Sequence, residues 1–145
     1  MTLPAGGPTV LRIVAAVVVR DGQFLLVRKR GTTAFMQVGG KIEPGELPLE
    51  ALVREVAEEI GLMLDPAAVR PLGRLEAVAA NEPDHVVDAH VFGVDLPPGV
   101  EPEPRAELED LVWVDPADPV TAYPIAPLSL DLLAEHAAGD ATISP

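Results

Sequence analysis

Cysteine is absent from this chain, and aromatic and basic residues are scarce. Without a thiol there is no disulfide framework, no cysteine nucleophile and no cysteine-held zinc, so any metal must rest on oxygen or imidazole. One tryptophan, one tyrosine and three phenylalanines leave few rings for stacking on a flat ligand. Ten Lys and Arg against 23 Asp and Glu give a formal charge of -13 and a pI near 4.4. That balance opposes binding to nucleic acid polymers and to anionic membranes. Long apolar runs are missing too: the longest, residues 13–19, falls far short of the ~20 residues that span a bilayer. Residues 1–9 carry neither the basic start nor the apolar stretch of a secretory leader, so the expected location is cytoplasmic.

What is present suffices for one domain. A chain of 145 residues, 48% hydrophobic, has the size of a single globular unit. Its ordered core is expected from about residue 10 to about residue 138. Residues 11–19 are β-branched and apolar, residues 20–23 offer an Asp-Gly turn, and residues 24–27 resume the apolar run, which predicts a β-hairpin. The glycine-rich stretch 31–45 reads as loop, with at most a short strand around 35–38. A helix is predicted over 47–60, with Pro48 in its first turn, Gly61 just past its end, and Leu49, Leu52, Val53, Val56 and Ile60 at helical spacing. Segments 69–80, 85–95 and 111–115 have strand composition, and four prolines punctuate 96–104. A last helix is predicted over 127–138, packing Leu128, Leu132 and Leu133 and ended by Gly139. Strands around one central helix and followed by another predict a layered α/β domain.

The central helix carries the chemistry. At about 100° per residue, Glu55, Glu58 and Glu59 lie within roughly 100° of one another on its wheel. Like charges three and four residues apart destabilise a helix by about 0.2–0.5 kcal/mol per pair, and negative charge near a helix C-terminus opposes the macrodipole. Stability alone would not select the arrangement. A solvated acidic face is one reading. The other is a divalent cation with oxygen ligands, magnesium above all, which turns the repulsion into binding.

The surrounding residues favour the second reading. Gly40, Glu46, then Arg54-Glu55-Val56-Ala57-Glu58-Glu59-Ile60-Gly61-Leu62 match the Nudix box at every fixed position, and the chain resembles a Nudix hydrolase. The resemblance implies that family's α/β/α sandwich with a mixed sheet, and magnesium-dependent hydrolysis of a phosphate anhydride, with manganese as a substitute. It implies Glu55, Glu58, Glu59 and the carbonyl of Gly40 as metal ligands, Arg54 as the group that orients the acids, and Glu46 as support for the loop. A box glutamate or a later acidic residue often supplies the general base; among Glu103, Glu107 and Glu109 the choice is Glu107, with an exposed loop carboxylate as its alternative. Arg28 and Lys29 match phosphate-contacting positions, Lys41 lies in the box loop, and Phe35 and Gln37 precede the box where members shape the substrate pocket. Val38 stands where a proline is often found, which leaves that pocket undetermined.

The proline and tyrosine that mark ADP-ribose and dinucleoside polyphosphate hydrolases have no counterpart at residues 77–80. The compact length resembles the MutT-type members, which implies as expected substrate a small nucleotide, a nucleoside triphosphate in either normal or oxidised form, cleaved to the monophosphate and pyrophosphate. Its base would meet Phe35, Phe92 or Trp113, or be read loosely. Nucleotide sugars and ADP-ribose are the enzymatic rivals, and a non-catalytic nucleotide sensor is the rival of another class. The family includes monomers and homodimers, so both states stay open. His85 and His90, five residues apart on a predicted strand, would face opposite ways and not share a metal.

Overall fold

The longest apolar run is the middle of the sheet. In the computed structural model, which describes residues 9–79, 83–118 and 123–137, strand β1 spans Thr9–Arg20. Val14, Ala16 and Val18 point to one face and Ala15 and Val17 to the other, and both sets are buried, because each face is covered by a helix. Asp21 and Gly22, both with positive φ, turn the chain into β2 (Gln23–Lys29).

The two strands pair only near the turn, at Val19 with Phe24 and Arg20 with Gln23, and then diverge. The space between them is filled from the box loop. Met36 exchanges backbone hydrogen bonds with Val27, both at 2.7 Å, and β3 (Val38–Lys41) then pairs antiparallel with residues 13–16 of β1. The sequence predicts a short strand around 35–38, yet the regular strand is residues 38–41 and includes the Gly39-Gly40 pair. Glycine reads as loop, but here it is required by close approach. A Cβ on Gly39, whose φ is 152°, would collide with the carbonyl of Val14 across the ladder.

Helix α1 (Pro48–Ile60) follows, then a single 3-10 turn (Pro66–Ala68), β4 (Arg70–Val78) and β5 (His85–Asp95). β5 lies parallel to β1 over its whole length and antiparallel to β4. β6 (Leu108–Val114) pairs with β2. It begins three residues before the predicted 111, because the acidic run Glu109-Asp110 reads as loop yet sits across from basic Arg28-Lys29. Helix α2 (Pro127–Ala137) closes the described chain; residue 138, the expected stop at Gly139, and Ala80 of the predicted fourth strand lie outside the described residues. The sheet order is β4-β5-β1-β2-β6, with β3 on β1, and it is mixed.

One core joins α1 (Ala51, Leu52, Val56, Ile60) to the even face of β1, and the other joins α2 (Leu128, Leu132, Leu133) to the odd face. Burying each large side chain on α1 contributes on the order of 2 kcal/mol. That outweighs the glutamate repulsion of a few tenths of a kcal/mol per pair, which is why the helix holds three clustered acids. Among the described residues, no helix is long and apolar enough to cross a membrane.

Candidate active site

The site forms where the box loop, now a strand, passes the acidic face of α1. Glu50 accepts the Leu47 N–H at 2.9 Å at the helix start, and Gly61, with φ 73°, ends it in the left-handed conformation that glycine adopts without strain. Between these stops the helix aims its carboxylates at β3. Glu59, nearly buried, accepts the Gly39 N–H at 3.0 Å. Glu55 lies against the α-carbon of Gly40, where any side chain would fill its place.

Arg54 organises the outer edge. Its Nε and Nη2 grip the two oxygens of Glu46, each at 2.8 Å, while Nη2 also donates to the Lys41 carbonyl at 3.1 Å and Nη1 to Glu55 at 3.2 Å. Glu46 further accepts the Glu43 N–H at 2.9 Å, closing the loop on itself. The guanidinium fork holds the Glu46 carboxyl down at about 2, and Glu46 and Glu55 hold Arg54 firmly protonated.

The inner carboxylates are only partly compensated. Burial pushes Glu59 up to about 8, and the negative charges of Glu55 and Glu107 add to the rise, against the Gly39 hydrogen bond and Lys29. Burial also raises Glu55, with Glu58 adding to it and Arg54 and Lys29 opposing.

A cavity of about 540 Å³ opens beside them. Its lining mixes charged residues, Glu55, Glu59, Glu107, Lys29 and Lys41, with aliphatic ones, among them Leu11, Ile13, Met36 and Val87, and with Gln37, Thr32 and the box glycines. The structure therefore gathers seven of the residues singled out in the sequence around one space. Six others lie apart from its lining. Glu58, its side chain 54% exposed, leans outward to Arg54 at 3.5 Å. Arg54 works from behind. Arg28 is engaged with Glu109 at 2.8 Å and with the Thr32 carbonyl at 2.9 Å. Phe35 is buried in the α2-side core against Tyr123, with ring centroids 4.8 Å apart. Phe92 and Trp113 belong to the α1-side core, and Arg20 stacks on Trp113. The cavity wall is thus aliphatic rather than aromatic.

Among the described residues, no three acidic or imidazole side chains are already gathered as a cation cage. Glu58 pairs with Arg54, Glu55 lies between Arg54 and Gly40, and Glu59 accepts from Gly39. His85 and His90 sit on opposite faces of β5; the Nδ1 of His85 meets the Pro83 carbonyl at 2.6 Å, whereas the Nε2 of His90 is buried without a partner among the described residues.

The loop bearing Glu107 is tied to α1. Arg105 N–H donates to the Glu59 carbonyl at 2.8 Å and Glu103 N–H to the Ile60 carbonyl at 3.2 Å, so the loop caps the helix end, and the Arg105 side chain lies over Gly61. The aliphatic wall and Ser129, which donates to Gln37 Oε1 at 2.6 Å, are the features that the sequence reading missed. Alternation along β1 puts Leu11 and Ile13 on one face, but nothing local says that this face borders a cavity.

Comparison with known proteins identifies the family and the fold. The NUDIX domain model matches residues 10–135. The chain is 32% identical over 131 residues to the CTP pyrophosphohydrolase of Escherichia coli strain K12, covering 85% of this chain and 88% of that protein. Among solved structures, it is similar to the Escherichia coli ORF135 protein, with TM-score 0.67 and 29% identity over 93% of this chain and 96% of the other. It is also similar to a MutT NUDIX hydrolase from Burkholderia pseudomallei, with TM-score 0.70 and 25% identity over 87% and 97%.

Proposed function

The chain belongs to the Nudix family, enzymes that hydrolyse phosphate anhydrides, and from that premise we propose that it cleaves a nucleoside triphosphate to the monophosphate and pyrophosphate with magnesium bound. The observation that carries this is one cavity lined both by carboxylates and lysines and by aliphatic side chains. That mixture suits a triphosphate joined to a base. A relative named for CTP pyrophosphohydrolysis supports the triphosphate over a nucleotide sugar or ADP-ribose.

Glu55, Glu58, Glu59 and the Gly40 carbonyl are the residues that would hold magnesium or manganese. They fit: the donors are all hard oxygens, Glu59 is buried and Glu55 partly buried with both carboxyls raised by burial, and Gly40 leaves Glu55 its room. When bound, the ion neutralises charge on the phosphate oxygens and lowers the pKa of a bound water. The chain supplies the rest. Arg54 fixes the acids through Glu46 and Glu55. Lys29 and Lys41 set positive charge beside the phosphate oxygens. Glu107 takes the proton of the attacking water; the new bond forms between water oxygen and phosphorus as the anhydride bond to the leaving group breaks. Leu11, Ile13 and Val87 enclose the base.

The test is a phosphate-release screen with magnesium across nucleoside triphosphates, oxidised triphosphates, ADP-ribose, nucleotide sugars and dinucleoside polyphosphates. Triphosphates are expected to lead, with pyrophosphate as product. A nucleotide sugar or ADP-ribose as best substrate would overturn the assignment, and binding without product over hours would make the domain a sensor.

A further inference from the structure

β4 is the last strand on its side of the sheet, and one hydrogen bond fixes which of its backbone groups point away from the protein. Ala79 N–H donates to the His85 carbonyl at 3.0 Å, and the β4–β5 register runs unbroken from Gly73 against Val91 to Val78 against Val86. Antiparallel pairs alternate between hydrogen-bonded and not, so Leu75 and Ala77 bond to β5 as Ala79 does. Arg74, Glu76 and Val78 therefore direct their N–H and C=O groups outward, where none meets a partner among the described residues. Their side chains share one face and are exposed, Val78 to 63%. Asp88 engages Nε and Nη2 of Arg74 but not Nη1, and Glu76 is in no ion pair among the described residues.

We propose that β4 is the contact between two copies of this chain, which join edge to edge as antiparallel strands about a two-fold axis at Leu75. Outward groups must meet outward groups, which leaves few registers. Centred on Arg74, the pairing sets Arg74 against itself; centred on Glu76, it sets Glu76 against itself. Centred on Leu75, it sets Arg74 opposite Glu76 of the second copy and repeats that pair across the axis. On the other face, half-buried Leu75 then meets Leu75 of the second copy. Opposite charges directly across a ladder stabilise it and like charges destabilise it. Charge on an edge strand normally guards against stray pairing. Here the alternation of sign admits one partner in one register. The wider field agrees: at a formal charge of -13 two copies repel over most of their surface, whereas β4 carries Arg70 and Arg74 against Glu76 alone. The opposite edge strand, β6, is unsuited, since it bears Glu109 and Asp110, and the Asp110 side chain takes the Leu111 N–H at 3.0 Å. The contact is the same patch on both copies, so assembly closes at two. It is independent of the reaction catalysed.

The full chain is tested by sedimentation equilibrium and by oxidative cross-linking. It has no cysteine, so an introduced thiol reports its own position alone. The wild type is expected to double its mass from 15.2 kDa as its concentration rises to about 100 μM, the strength of a small, weak contact. Glu76→Pro removes an outward N–H and no bond to β5, so it should keep the wild-type circular dichroism while association weakens about 100-fold or more. Leu75→Cys should give a disulfide-linked dimer, because opposed residues of a non-hydrogen-bonded pair lie about 4.5 Å apart, within disulfide reach. Arg74→Cys and Glu76→Cys should each stay unlinked alone and link when mixed; should Leu75→Cys not fold, that mixture decides. A wild type that keeps a single mass up to about 100 μM overturns the proposal. So does a folded Leu75→Cys that stays unlinked, a Glu76→Pro that associates like wild type, or Arg74→Cys or Glu76→Cys linking alone in preference to the mixture.

Discussion

Gly40 turns its α-carbon to the carboxylate of Glu55 so closely that a methyl group there would meet both oxygens and the carboxyl carbon. Its neighbour Gly39 makes a different close approach, to the backbone carbonyl of Val14. The two glycines thus guard different properties.

Gly40→Ala meets the end of a flexible side chain, which can swing aside. It is expected to fold with a melting temperature within about 3 °C of wild type. Glu55 would be displaced, and misplacement of about 1 Å can cost about 100-fold in turnover. Gly39→Ala meets backbone that cannot give, and should cost about 3 kcal/mol or more, lowering the melting temperature by about 10 °C. Calorimetry and turnover on the two variants separate these effects. Wild-type kcat in Gly40→Ala would remove Glu55 from the site.

The buried Glu59 makes stability fall with rising pH when no metal is present. Its carboxyl titrates near 8 in the fold against an ordinary value of 4.5, so between those values the folded state holds a proton that the unfolded chain has released. The stability it lends is complete below pH 4.5 and is lost progressively up to about 8. Glu46 works with the opposite sign: its carboxyl, held near 2, lends stability above 4.5 that is lost as pH falls toward 2. Metal-free protein is therefore expected to melt at a lower temperature at pH 8 than at pH 5.5. Glu59→Gln should flatten that slope. Saturating magnesium, by binding the ionised form, should raise the melting temperature more at pH 8 than at pH 6. A flat profile in metal-free wild type, matched by Glu59→Gln, would sink the idea.

Glu58 is the exposed member of the trio, paired with Arg54. Glu58→Gln should leave metal-free stability within about 0.5 kcal/mol, as expected of a surface change. Turnover should fall about 100-fold and the melting shift with magnesium should shrink, because a ligand charge is gone. Wild-type turnover in this variant would exclude Glu58 from holding the ion.

Much of this was legible in the sequence, for physical reasons that differ by element. β5 spans the predicted 85–95, and α1 misses its predicted start by one residue, because apolar periodicity, Pro48 and Gly61 are local signals. β3 was misplaced because Gly39 and Gly40 serve contacts with Val14 and Glu55, which lie elsewhere in the chain. The box residues announced a charged site, and Glu55, Glu59, Glu107, Lys29 and Lys41 do share a cavity. What lines the rest of it was not legible. Ile13 and Val87 read equally well as ordinary core, and Ser129 on α2 gives no sign that it grips Gln37.

The hydrogen bonds from Arg105 and Glu103 to the last carbonyls of α1 have a dynamic consequence. The final turn of a helix usually frays by itself. Here it can do so only by releasing the segment that leads to Glu107, and that segment can swing only by uncapping the turn that carries Glu59. The turn that carries Glu59 and the segment that leads to Glu107 are therefore mechanically coupled, so disorder in one is passed to the other.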